Sequence, residues 1–198
     1  MKPAIINIKS DAILADGTLI KISKDKRWVY TDLIDKRIRI ISVDACDINE
    51  SPYGYISNAQ LDWIANVALN FDGKASKDWG VVFALERIFE DTDYHENTFE
   101  VLCKICIAFN KQQEYAVYYK HNENPIYDLN LSADFTRYAK VKKRPHTICM
   151  LIHHGNARGC FVKKGINMIS PSFDNDYTIS IDTEKRVIYA PEKASLEY

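Results

Sequence analysis

Apolar positions along the chain change their spacing twice, and each change marks a change of element. Ala4 to Lys9 is apolar-rich, and Ala12-Ile13-Leu14 and Thr18 to Ile22 flank Asp16-Gly17. An Asp-Gly pair between two apolar runs is a strong hairpin signal. From Ser23 the apolar residues Trp28, Val29, Tyr30, Leu33 and Ile34 fall at helical spacing, which predicts a helix. Ile38 and Ile40 then alternate with Arg37 and Arg39, so that 37–43 reads as the end of that helix or as a strand. Residues 44–56, with Pro52 and Gly54, read as a loop.

The middle of the chain reads as helical. Ser57 followed three residues later by Gln60 is a capping-box pattern, and Leu61, Ile64, Ala65 and Ala68 share one face behind it. Gly73 is a plausible stop. A second helix is predicted from Ser76 to Glu90, apolar nearly all round at Val81-Val82-Phe83-Ala84-Leu85 and therefore central to the core. Thr98 caps a third, with Phe99, Leu102, Cys103 and Cys106 on one side.

The last part returns to strand spacing. Tyr115–Lys120 is a strand, Ser132 opens a short helix through Lys143, and His146–His154 is a strand turned by Gly155-Asn156, with 160–169 pairing back onto it. Residues 177–182 and 186–190 form a final hairpin across Thr183-Glu184-Lys185. The sum is an α+β fold: a β-hairpin start, a central layer of about three helices and a C-terminal antiparallel meander. The length suits one compact domain over 1–198, with a subdivision near 111/112 into hairpin plus helices and a β-rich basic half.

Composition excludes several classes. At 46% hydrophobic and 27% charged, with 7 Gly and 6 Pro, the chain is globular rather than disordered, fibrous or low-complexity. It holds no apolar run long enough for a membrane span and no signal-peptide core. Five irregularly spaced cysteines do not make a disulfide framework, and the expected location is cytoplasmic.

Charge sharpens the picture, because the formal net of −1 is a cancellation. Residues 1–60 carry +1, 61–135 carry −7, 136–166 carry +8 with no Asp or Glu, and 167–198 carry −3. The acid-free stretch holds Arg137, Lys140, Lys142, Lys143, Arg144, Arg158, Lys163 and Lys164, with His146, His153 and His154 beside them. Gathered on one surface, these would attract phosphates or an acidic partner. Tyr138 and Phe161 would offer stacking faces. The plain structural alternative is that the block packs near the acidic segment 61–135 and balances it.

Two resemblances attach to particular residues. The order Leu19 to Ser23, then Val29, Tyr30, Leu33 and Ile34, then Ile40-Ile41-Ser42 resembles the opening of an OmpR-type winged-helix domain over about 35 residues. That resemblance implies a DNA-binding front half. No wing hairpin follows, however, and pairing 57–69 with 76–90 as a helix-turn-helix leaves too long a turn. His146 to Ile152, Gly155, Phe161-Val162 and Gly165-Ile166 resemble the strand pair that carries the base histidine in papain-like amidases of the NlpC type. That implies His146 as base and a thiol at a helix start, for which Cys46 is the candidate, without a clear helix behind it.

Other chemistry is thin. Cys103-x-x-Cys106 lacks the second ligand pair of a zinc site, and an apolar helix face explains it better. His95-Glu96 after the acids at 90–93 lacks the downstream cysteines of a zinc deaminase. Walker, dinucleotide and serine-hydrolase motifs are absent. The sequence therefore predicts no metal, no cofactor and a non-enzymatic regulator. It would bind DNA or RNA, or a nucleic-acid-bound machine, through Arg137, Lys140, Lys142, Lys143, Arg144, His146, Arg158, Lys163 and Lys164. Its alternatives are a cytosolic cysteine hydrolase and a small inhibitor that binds a host protein through exposed Tyr and Trp residues.

Overall fold

The computed structural model describes residues 12–13, 19–22, 28–45, 55–74, 78–87, 98–142, 144–154, 159–170, 180–182, 187–189 and 195–197. It is an α+β protein built on a mixed sheet. The sheet begins with β1 (Ala12–Ile13), β2 (Leu19–Ile22), β3 (Val29–Leu33) and β4 (Ile38–Val43), each antiparallel to the one before. β1 and β2 pair antiparallel, as the sequence predicts, and the Asp16-Gly17 turn predicted between them lies outside the described residues. The sheet continues with β5 (Gly80–Arg87), β8 (His146–His154) and β10 (Ile166–Ser170), parallel to β4 and to one another, and ends on β9 (Gly159–Lys163). β6 (Glu114–Tyr119) and β7 (Leu129–Asp134) form a separate two-stranded ribbon. The strands β11 (Ser180–Asp182), β12 (Val187–Tyr189) and β13 (Ser195–Glu197) form an antiparallel sheet of three. The β11–β12 pair is the final hairpin of the sequence reading, and β13 extends it.

Among the described residues two helices, not three, carry the crossovers. α1 (Asn58–Trp63) runs on into a π-helical turn, Ile64–Ala68, and links β4 to β5. Ser57 caps α1 through its hydroxyl, which accepts the Gln60 N–H at 3.1 Å. α2 (Thr98–Lys111) follows β5. Both pack, with the ribbon, on one face of the sheet against Ile41, Val43, Val81, Phe83, Leu85, Met150, Ile152 and Met168. Ile38, Val82, Cys149 and Ile169 cluster on the opposite face, joined by Ile148.

Several predicted elements are corrected. The segment read as a helix from Ser23 contains β3 and a 3-10 turn at Ile34–Lys36, so the winged-helix resemblance fails at its helix. The helix predicted over 76–90 is β5, which also removes the helix-turn-helix pairing. A strand flanked by parallel neighbours is buried on both faces and reads as a continuous apolar run, which periodicity alone does not separate from a buried helix. The helix predicted from Ser132 is the end of β7 and a 3-10 turn at Thr136–Tyr138. Residues 160–169 do not pair back as one strand onto β8. They fold as the β9–β10 hairpin, with Lys164 (φ 51°) and Gly165 (φ 77°) both left-handed, the backbone that a two-residue type I′ turn needs. β10 then lies beside β8 in parallel, and β9 takes the edge.

Candidate nucleic-acid interface

Four parallel strands start at one end of the sheet, and the described members of the basic block from Arg137 to His146, with Lys163 and Lys164, lie at that end, whereas His153 and His154 close β8 at the other. The Gly80 N–H donates to the Arg37 carbonyl at 2.9 Å and the His146 N–H to the Trp79 carbonyl at 3.0 Å, which fixes the starts of β4, β5 and β8 side by side. Arg137, Lys140, Lys142 and Arg144 lie on the segment that leads into β8 and are exposed. Lys163 and Lys164 lie at the turn that leads into β10, which starts at the same end because it runs parallel to β8. Three cations outside the predicted set share this end: Lys36 and Arg37 before β4, and Lys111 at the end of α2. The Asn110 Oδ1 accepts the Thr147 N–H at 2.7 Å and holds the α2 C-terminus there.

Two cations of the block are balanced internally. Arg137 Nε lies 3.3 Å from Asp72 Oδ1, and its guanidinium sits 5.0 Å over the Tyr138 ring. The Tyr138 hydroxyl accepts the Phe71 N–H at 2.8 Å, so the two loops are joined at neighbouring positions. Lys164 Nζ lies 3.1 Å from Glu100, which also holds Lys104 at 3.2 Å. Asp72 and Glu100 both belong to the acidic segment 61–135. In contrast, Lys140, Lys142 and Arg144 have no carboxylate partner among the described residues. Lys163 is half-buried, and so is His146. Lys143 and Arg158 lie outside the described residues, as do Cys46 and the acidic cluster before His95.

The Glu100 cluster carries a pH signature. Hydrogen bonds from Lys164 and then Lys104 hold its carboxyl below the usual 4.5. A depressed folded value means the pair contributes fully above about pH 4.5 and is lost as the pH falls through the lowered value. Acid titration of thermal stability at low salt should therefore be flatter in Lys164→Met than in the parent. An equal slope in both would remove this contribution. The effect is small because the pair is solvent-screened.

A buried ionic centre, absent from the sequence prediction, lies behind this end of the sheet. Asp32 on β3 is fully buried and Arg39 on β4 is 1% exposed. Arg39 grips Asp32 bidentately, Nε to Oδ1 at 2.6 Å and Nη2 to Oδ2 at 2.8 Å. Its Nη1 donates to the carbonyls of Ala68 at 2.7 Å and Asn70 at 2.9 Å, capping the π-helical turn. The guanidinium is sandwiched 3.8 Å from the Tyr30 ring and 4.3 Å from the Phe71 ring. Lys74 adds a second cation to Asp32. Four of the five Arg39 N–H groups and both Asp32 oxygens have partners within the chain, so the centre is a structural tie between β3, β4 and α1.

The thiols offer no activated nucleophile among the described residues. Burial pushes Cys103 and Cys149 up to about 12, and Cys106 well above its usual value. Burial raises Cys160 as well. Cys103 and Cys106 are core residues of α2. No group of His, Cys, Asp or Glu suited to a metal ion occurs among the described residues, and no described helix is long and apolar enough to cross a membrane. Comparison with protein families, curated proteins and solved structures finds no match to this chain.

Proposed function

We propose that this protein is a non-enzymatic cytoplasmic regulator that binds DNA or RNA, alone or within a nucleic-acid-bound machine, through the cationic end of its sheet. The observation that supports this reading is the exposed run Lys140, Lys142 and Arg144, which has no carboxylate partner among the described residues and shares its end of the sheet with Lys36, Arg37 and Lys111. Cations that are not neutralised within the fold are the ones whose counterions a polyanion can release. Arg137 and Lys164 contribute less in this reading, since Asp72 and Glu100 already hold them.

Salt sensitivity provides the test. Fluorescence anisotropy with short DNA and RNA should show binding at low salt that weakens linearly on a log–log plot. Lys142→Glu with Arg144→Glu should lower affinity by about tenfold or more and reduce the slope by about two, one per phosphate contact. Lys164→Glu should do less. No binding at low salt, or binding indifferent to the double variant, would sink the proposal. A single protein partner that survives nuclease treatment would replace it with the host-protein reading.

A further inference from the structure

The β6–β7 ribbon has two outer edges, and the fold treats them differently. The β7 edge is closed by asparagine side chains from α1 and its π-helical turn. Asn58 Oδ1 accepts the Asn130 N–H at 2.7 Å, Asn58 Nδ2 donates to the Asn130 carbonyl at 3.4 Å, and Asn66 Nδ2 donates to the Ser132 carbonyl at 3.0 Å. Asn130 and Ser132 thus direct their backbone groups away from β6. In an antiparallel pair such positions face non-hydrogen-bonded partners. Those partners are Tyr118 and Ala116, so their N–H and C=O groups point outward on the free side of β6. The Phe135 N–H, which donates to the Gln113 carbonyl, confirms the parity: odd-numbered β6 positions face β7 and even-numbered ones face out. No strand pairs with that side among the described residues.

This edge lacks the usual protection. Glu114-Tyr-Ala-Val-Tyr-Tyr119 has no proline, bulge or inward charge, and Tyr118 is 76% exposed. Its charges sit only at the ends, acidic at Glu114 and basic at Lys120, both exposed. We propose that β6 pairs antiparallel with β6 of a second copy of this chain, about a two-fold axis at Val117. Three registers let the outward-facing Ala116 and Tyr118 meet themselves or each other. One pairs Ala116 with itself and one pairs Tyr118 with itself. Only the register centred on Val117 sets Glu114 opposite Lys120 of the second copy, twice by symmetry, and lays each Tyr118 ring over an alanine. Opposite charges facing each other across strands stabilise a pairing and like charges disfavour it. A two-fold axis makes such a patch self-complementary. The result is a four-stranded antiparallel sheet, ordered β7–β6–β6–β7.

Sedimentation equilibrium on the full chain tests the pairing. The expected result is a dimer whose dissociation constant rises about tenfold or more in Glu114→Lys, and likewise in Lys120→Glu. The double exchange Glu114→Lys/Lys120→Glu should restore it. Ala116→Pro removes an outward N–H without touching the β6–β7 ladder and should abolish the dimer. A monomer at every concentration overturns the proposal, as does a dimer indifferent to the charge exchanges. So does a monomer that captures an extended peptide at β6, which would give the edge to a different partner. Variants at Lys142 and Arg144 leave the dimer unchanged, so this proposal and the nucleic-acid reading fail separately.

Discussion

Replacing Arg39 with Met should destabilise the protein by about 3–5 kcal/mol, the usual cost of breaking a buried ion pair from one side. The substitution keeps much of the side-chain volume but strips Asp32 of its bidentate partner in a fully buried site. It also leaves the Ala68 and Asn70 carbonyls without the donor that caps the π-helical turn. Lys74 remains beside Asp32, but it reaches one oxygen only and cannot cap the turn. For a chain of this length the loss corresponds to a melting-temperature drop on the order of 10 °C. Urea denaturation provides the measurement. The double variant Arg39→Met/Asp32→Leu should lie closer to the parent than the single one, because removing both charges removes the stranded group. A loss below about 1 kcal/mol for Arg39→Met would put the pair with ordinary surface bridges and refute the assignment.

Gly80→Val should cost about 3 kcal/mol, at the upper end of what overfilling a packed core costs. A Cβ at this position would stand 2.1 Å from Ile148 Cδ1 and 2.8 Å from its Cγ1. The cause lies in the sheet register. Val81 pairs with Thr147 but Val82 pairs with Cys149, so Ile148 is an extra residue in β8 and its side chain fills the space above Gly80. Ile148 is 1% exposed and has little room to retreat. Trimming Ile148 to Ala should recover part of the loss, since the two positions share one space. Equal costs of Gly80→Val in the parent and in Ile148→Ala would show that the contact is not the cause.

These two positions also show where the sequence was legible. Ser57 and Gln60 announced α1 because a capping box is a local pattern, and Asp16-Gly17 announced the first hairpin for the same reason. Arg39 gave no such signal. Its alternation with Ile38 and Ile40 left 37–43 open between a helix end and a strand and assigned it no face, whereas the helix-facing side of β4 is Arg39, Ile41 and Val43. Only the distant carbonyls at Ala68 and Asn70, with Asp32 beside them, make an inward arginine tolerable. Gly80 before two β-branched valines was the available clue that 80–87 is a strand. The apolar run outweighed it.

The candidate site was legible as charge but not as exposure. The acid-free block stands out in the sequence, which leaves its exposure open; Lys140, Lys142 and Arg144 are exposed in the structure. What separates them from Arg137 and Lys164 is contact with Asp72 and Glu100, each more than sixty positions away. No local pattern encodes such a contact. The edge of β6 was out of reach for the same reason, since its open side follows from what Asn58 and Asn66 do to the strand next to it.

The order of strands in the large sheet has a consequence for synthesis. β5 is flanked by β4 on one side and by β8 on the other, and the residue opposite Gly80 in β8 is His146. A ribosome adding about 5–20 residues per second delivers β8 several seconds after β5 has emerged. During that interval the nascent chain carries Val81-Val82-Phe83-Ala84-Leu85 with one ladder unfilled, so this strand is where a chaperone would engage the unfinished protein.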